Sequence, residues 1–224
     1  MPKSKRARKV TLSKTSKRAT HDRKQAMIDE VRACAEKFST LYVLGVANMR
    51  NVALQRVRSQ LSSSRIFFGR TKLLSSALGR TPSEEHRDGL HQVSQALHGE
   101  GESGLLFTNV PLEEVQKVLT EAQLDEFARA GAPATEAVEL PAGPLPQFPH
   151  NMEPYLRKLG LPTRLDNGVV TLRYNHAICR EGATLNSDQA KVLRLLGIRM
   201  ATFKLTLRCR WTSDGHFEPM DAMA

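Results

Sequence analysis

The 224-residue chain has few aromatics: Phe, Trp and Tyr make up 5% of it, with a single tryptophan. That scarcity, and the lack of an RNP-type aromatic motif, counts against nucleic-acid recognition by base stacking on a sheet face. Cysteine is nearly absent. Cys34, Cys179 and Cys209 are far apart and form no CxxC pair, which predicts reduced thiols in a cytosolic or nuclear protein. No run of about 18 apolar residues occurs, so neither a membrane-spanning helix nor a membrane partner is expected. The basic N-terminus is not followed by the apolar segment of a secretory signal peptide. Chemistry-bearing constellations are missing as well. There is no HExxH, no GxSxG and no carboxylate pair that stands out. His86 and His91 are five apart and off a shared helical face, and no Cys/His quartet exists. No catalytic residue, metal or cofactor is expected, and the chain does not read as an enzyme.

The most informative absence is acid. From Phe38 to Ser83 there is none, while Arg50, Arg56, Arg58, Arg65, Arg70, Lys72 and Arg80 all fall in that zone. Residues 1–24 add ten Lys/Arg against Asp22 alone, whereas residues 84–140 hold twelve acids and three bases. The formal net charge is +10. A basic tail and a basic first half facing a separate acidic zone point to a polyanionic partner, RNA or DNA. Residues 1–20 have too little apolar content to build a core and read as a disordered basic tail. Within it Lys3, Lys5, Arg6, Arg8 and Lys9 form a short cluster of the kind that serves as a nuclear or nucleolar address or as a phosphate-binding arm.

Patterning outlines an α/β chain of one or two domains, at about 150 residues per domain. Met27, Val31, Cys34, Ala35 and Phe38 recur at helical spacing. Thr40–Ala47 is an apolar, strand-forming run. Asn48–Leu61 follows as a helix, with Val52, Val57 and Leu61 able to face inward. Arg65–Gly69 is the next strand, and the short helix after it closes at Gly79. Thr81–Glu84 reads as a capping box opening a helix to about Leu97. Ser103–Val110 is a strand, and Pro111 starts another helix. Such alternation predicts a sheet covered by helices. After about Phe127 the composition shifts: Ala128–His150 carries many prolines and glycines and reads as a linker or boundary. Beyond it come a short helix ending at Gly160, a hairpin with Asp166-Asn167-Gly168 at its turn, a capped helix over Asn186–Gly197 and a strand over Ala201–Trp211.

Two glycine motifs are to be set aside. Gly99, Gly101 and Gly104 match G-x-G-x-x-G, but they follow a helix and precede a strand, the reverse of a dinucleotide fingerprint, and Glu100 and Glu102 would repel a pyrophosphate. "GRTKLL" lacks the spacing of a Walker loop. What remains is a pair of strand-to-helix turns. Gly69 ends one strand, Thr71 begins a helix whose first amides can hold a phosphate oxygen, and Arg70 and Lys72 flank it. Asn48, Arg50 and Asn51 sit at the corresponding earlier turn, with Gln55 and Arg58 one to two helical turns on. If the two strands are neighbours their carboxyl ends share an edge, and the turns make one polyanion site. The alternative is two ordinary turns carrying solvated arginines.

At these blocks the chain resembles a known family. "LYVLGVANMRNVALQRVRSQL", "IFFGRTKLLSSALG", "PAGPLPQFPHNMEPYLRKLGLPTRLDNGVVTLRY" and "GATLNSDQAKVLRLLGI" are similar, in that order, to the ribosomal stalk-base family. That family takes in the archaeal and eukaryotic acidic stalk protein and the bacterial L-ten protein. The basic head and early stop resemble its ribosome-assembly branch. The resemblance spans about residues 20–212. It implies a helix-covered mixed sheet over 21–126 and 198–212 that binds large-subunit ribosomal RNA at the GTPase-associated centre, with a small α+β domain, 127–197, inserted before the last strand, and a short tail, 213–224. It also implies an RNA-facing set of Asn48, Arg50, Asn51, Gln55, Arg58, Gly69, Arg70, Thr71 and Lys72. The expected role is that of a placeholder in the nuclear pre-60S particle, beside the neighbouring stalk-base ribosomal protein. It is later exchanged for the stalk protein with the help of a release factor. Binding of acidic stalk dimers is not expected. The expected location is nucleolus and nucleus, with shuttling to the cytoplasm. A role in messenger RNA turnover is the second reading, though no nuclease, deaminase or cap-binding pattern accompanies it.

Overall fold

The computed structural model describes residues 17–99 and 101–220, with side chains from His21 onward. In chain order the elements are α1 (Lys17–Lys37), β1 (Thr40–Ala47), α2 (Asn51–Gln60), β2 (Arg65–Phe68), α3 (Thr71–Leu78), α4 (Leu90–Ala96), β3 (Glu102–Thr108), α5 (Leu112–Glu121), β4 (Leu124–Glu126), β5 (Val138–Leu140), β6 (Gly143–Pro144), α6 (Glu153–Lys158), β7 (Thr163–Asp166), β8 (Val169–Leu172), β9 (His176–Cys179), α7 (Ser187–Leu195), β10 (Ala201–Thr212) and β11 (Phe217–Pro219). They fall into two units. Of the described residues, the first takes those up to Val46, those within Gln55–Leu119 and those from Leu205; the second takes Ala47–Leu54 and Thr120–Lys204.

The first unit is built on a sheet of order β11-β10-β1-β3-β2. The alternation of strands and helices predicts a mixed sheet, and this expectation is corrected: β1 and β2 both pair antiparallel with β3, and β10 pairs antiparallel with β11. The physical reason lies in the crossover. The order β1–α2–β2 suits parallel neighbours, but the connection skips one strand position, and β3 returns through it in the opposite direction. β1 and β2 therefore point the same way without touching. Inward residues of the strands alternate as a pleated sheet requires. Leu41 and Val43 of β1, Leu105 and Phe107 of β3, Phe67 of β2, and Cys209 and Trp211 of β10 meet Val31, Ala35 and Phe38 from α1 and its end, and Leu74, Ala77 and Leu78 from α3. Phe67 and Phe107 pack edge to face, with centroids 5.8 Å apart. The two phenylalanines before the Gly69 turn thus belong to a strand: Phe67 is buried, and Phe68 lies so close over Gly104 that a Cβ there would come within 2.3 Å of its ring. That accounts for one of the three fingerprint-like glycines without any nucleotide.

Two local expectations are also corrected. Val57 and Leu61 are buried as expected, but Val52 is 63% exposed, and Ala53 and Leu54 take the inward positions at the start of α2 in its place. Thr81–Glu84 is a turn, not a helix start. Thr81 Oγ1 meets the Ser83 hydroxyl at 3.0 Å, and the Glu84 amide donates to the Thr81 carbonyl. Gly89, at φ +83°, then redirects the chain, and α4 begins at Leu90. The cap is supplied by Glu85, whose Oε2 accepts from the amides of Gly89 (3.1 Å) and His91 (3.3 Å) and from His91 Nδ1 (2.7 Å). The His91 bond first, and then the amides, hold the Glu85 carboxyl below its ordinary value of 4.5. A group whose pKa is lowered on folding stabilises fully above its unfolded pKa and loses that contribution as pH falls through the folded value. Glu85→Gln should therefore cost about 1 kcal/mol near neutrality. It should also flatten the decline in stability below about pH 4.5, as read by denaturant midpoints across pH.

In the second unit β6, β8 and β7 form one antiparallel sheet and β5 pairs with β9. The Asp166–Gly168 turn closes β7 onto β8 as expected, with Asn167 and Gly168 at φ 49° and 80°. Helix α7 carries a complete capping box: Asn186 accepts from the amides of Asp188 and Gln189, and the Gln189 side chain accepts in return from the Asn186 amide. Ala128–His150, read as a linker, is part of this unit's core. Ala128, Ala134, Leu145 and Phe148 are buried against Leu156, Val170, Leu172, Ile178, Val192 and Leu193. Gly143 and Pro144 themselves form the short strand β6, Pro133 bridges to Thr184, and Gly131 and Pro146 sit in turns, a pattern that a composition reading cannot tell from a tether.

Candidate nucleic-acid interface

The first unit carries the second of the two turns. Arg70 ends the approach from β2 in extended conformation, φ −65° and ψ 116°, and its side chain makes no cap. The first intrahelical bonds of α3 are those of the Leu73 and Leu74 amides to the Arg70 carbonyl. The Thr71 and Lys72 amides precede them and belong to the unsatisfied first turn of a helix. Arg70 and Lys72 are exposed and Thr71 is half-buried. Among the described residues neither Arg70 nor Lys72 forms an ion pair. Gly69 lies against α1: a Cβ there would meet Met27 Cε at 3.4 Å.

Gln55 and Arg58 are both exposed on α2, three residues apart and so on one face. Arg58 Nη2 reaches the Ile66 carbonyl of β2 at 3.5 Å. It also lines a groove of about 410 Å³ with Met27, Ser62, Arg65 and Phe68. Met27, which lines this groove, also lies against Gly69, while Gly69, Arg70, Thr71 and Lys72 are not among the residues that line it. Arg65, by contrast, is paired with Glu30 of α1.

Asn48, Arg50 and Asn51 belong to the second unit, and two of them have internal work. Asn48 sits at φ 52° and its side-chain amide donates to the Thr202 carbonyl at 3.0 Å. Arg50 donates from Nη2 to the Phe127 carbonyl, and its Nε lies 3.8 Å from Glu126 Oε2. Its side chain is only 16% exposed. Both contacts tie the start of α2 to the β4–β10 pair, in which Thr202 faces Asp125. Asn51 is exposed. Sequence spacing made these three look equivalent to Gly69–Lys72, because the carbonyl that holds Arg50 lies 77 residues away. Lys3, Lys5, Arg6, Arg8 and Lys9 lie outside the described residues. Among the described residues no group of three or more His, Cys, Asp or Glu is placed to hold a metal ion, and no helix is long and apolar enough to cross a membrane.

Comparisons with known proteins bear on the whole chain. Residues 19–123 match the family model described as ribosomal protein L10, and residues 128–198 match that of the insertion domain in the 60S ribosomal protein of the same family. The chain is 40% identical over 227 aligned residues to the ribosome assembly factor mrt4 of Schizosaccharomyces pombe, covering 96% of this chain and 93% of that protein. It is 30% identical to the protein of that name in Saccharomyces cerevisiae, over 96% and 95% of the two chains. The large ribosomal subunit protein uL10 of Thermococcus sibiricus is 26% identical over 78% of this chain but only 52% of its own length. With near-full-length identity at these levels, and both family models falling in order along it, the chain belongs to the mrt4 family of ribosome assembly factors, a branch of the ribosomal protein L10 family that serves large-subunit biogenesis.

Proposed function

We propose that this chain binds the stalk-base segment of large-subunit ribosomal RNA in the nuclear pre-60S particle and holds that site until the stalk protein replaces it. The observation that carries the reading is the β2–α3 turn. An acid-free zone presents there two exposed cations that form no ion pair among the described residues, and the first amides of a helix lie beside them. Gln55 and Arg58 extend that surface along α2. Asn51 is available in the second unit, while Asn48 and Arg50 serve chiefly to position the backbone of their own turn. Phosphate contact suits this set better than base readout, since it offers charge and amides rather than exposed aromatics. The chain works without a catalytic step of its own, and leaves the particle through a separate release factor. Its location is nucleolar and nuclear while the particle matures, and its neighbour is the ribosomal protein bound to the same RNA segment.

The test is competition on the RNA. A transcript of the stalk-base segment should crosslink to the β2–α3 turn, and titrating the stalk protein should displace this chain one for one. Isolated particles carrying both proteins on that segment would overturn the placeholder reading.

A further inference from the structure

The chain has three tyrosines. Tyr42 is 1% exposed in the sheet of the first unit, whereas Tyr155 and Tyr174, both in the second unit, are 45% and 60% exposed. Beside Tyr174 lies a cavity of about 330 Å³ lined by Arg157, Pro162, Thr163, Arg173 and Tyr174. That is the small end of the range of ligand pockets, about 300–1,000 Å³. Its walls are held. Glu153, 6% exposed, accepts with Oε1 from Arg157 Nε at 3.0 Å, Arg157 Nη2 at 2.6 Å and the Thr163 hydroxyl at 3.3 Å. Arg157 is thereby fixed while 64% of its side chain stays in solvent. The Arg173 amide donates to the Pro162 carbonyl at 3.0 Å and anchors the Arg173–Tyr174 pair to the cavity rim.

Charge favours an anion. Between residues 151 and 180 the only acids are Glu153 and Asp166, against Arg157, Lys158, Arg164, Arg173 and Arg180. Both acids are already paired, Glu153 with Arg157 and Asp166 with Arg164 at 2.7 Å. Arg173 forms no ion pair among the described residues. An exposed phenol ring next to two guanidinium groups offers a π-face for stacking and cations for a neighbouring phosphate. An acidic peptide would use the cations and leave the ring without a role. An apolar helix would have to desolvate both arginines.

We infer that this cavity is a second RNA contact, a site where one unpaired base of single-stranded RNA stacks on Tyr174 with its phosphate between Arg157 and Arg173. This rests on the preceding proposal only in taking RNA as the chain's ligand; the site is separate from the β2–α3 turn in sequence and in unit.

A short, unstructured, labelled single-stranded RNA titrated into the full chain by fluorescence anisotropy tests it. Tyr174→Ala should weaken binding about 5- to 100-fold, and Tyr174→Phe, which keeps the ring, should not. Arg173→Glu should weaken binding and flatten the dependence of log K on log salt by about one unit. Tyr174 and Arg173 are at the surface, and matched melting curves will show the variants folded. If Tyr174→Ala binds as tightly as the wild type, the site is wrong, whatever happens at the other turn. If Arg70→Glu/Lys72→Glu alone loses the stalk-base transcript, the preceding proposal stands without this one. If Tyr174→Ala and Arg173→Glu instead weaken capture of a poly-glutamate peptide and leave RNA binding intact, the surface takes acidic protein and the inference is overturned.

Discussion

Reversing both cations of the β2–α3 turn, Arg70→Glu with Lys72→Glu, should weaken binding of the stalk-base transcript by about 100-fold or more. A hydrogen bond to a charged group contributes about 1.5–3 kcal/mol. Removing two of them together therefore costs at least about 3 kcal/mol, at about 1.4 kcal/mol per tenfold. Reversal adds repulsion from the phosphates to that loss. The salt dependence should become shallower by about one unit for each phosphate no longer neutralised, and electrophoretic or anisotropy titrations at several salt concentrations will read both effects. The fold should be untouched, because both side chains are exposed and neither joins an ion pair among the described residues. Arg50→Ala gives the contrast. Its guanidinium is held by the Phe127 carbonyl and Glu126, so its removal should lower the melting temperature as well as the affinity. A double reversal at the turn that leaves RNA binding unchanged would remove Gly69–Lys72 from the interface.

Much of this arrangement was legible in the sequence, and the limits have physical causes. The strand at Thr40–Ala47 and the helix closed by Gly79 were readable because their signals are local: an apolar run of strand formers in one case, a positive-φ residue at a helix end in the other. The same holds for the Asn167-Gly168 turn and the Asn186 capping box. The direction of β3 was not, since pairing partners far apart in sequence leave no periodic trace. The turn at Thr81–Glu84 misled because the Thr-x-x-Glu spacing of a helix start is also compatible with a hydroxyl-bonded turn, and Glu85 rather than Glu84 does the capping. The candidate site divides along the same line. Arg70 and Lys72 could be found from charge and a strand-to-helix boundary. The internal role of Arg50 depends on Glu126 and Phe127, and the Tyr174 cavity depends on α6 packing beside β7.

The largest stability effect belongs to Trp211. It is fully buried near the end of β10, in the core that α1 and α3 cover. Its Nε1 donates to the Asp88 carbonyl at 3.0 Å, and Arg87 lies over its ring at 5.3 Å. The same Arg87 donates from Nη1 to the Ala35 carbonyl and from Nη2 to the Ser213 carbonyl, each at 2.8 Å. Around this one indole the end of α1, the loop before α4 and the last long strand are joined. Gly89 is part of the same arrangement: a Cβ there would lie 2.6 Å from the Gly215 carbonyl oxygen and 3.3 Å from Trp211 Nε1. Trp211→Ala should therefore cost about 3–5 kcal/mol from the cavity alone, with a further contribution from the orphaned Asp88 carbonyl. For a chain of this size that is a fall in melting temperature of roughly 10 °C or more. Trp211→Phe should recover most of the cavity term but not the hydrogen bond, and should fall between the two. Because Trp211 is the chain's single tryptophan, the wild type can be followed by its own fluorescence, but the variants must be melted by circular dichroism. A Trp211→Ala protein that melts with the wild type would mean that β10 is not anchored through this ring, and the loop at Arg87–Gly89 would need another support.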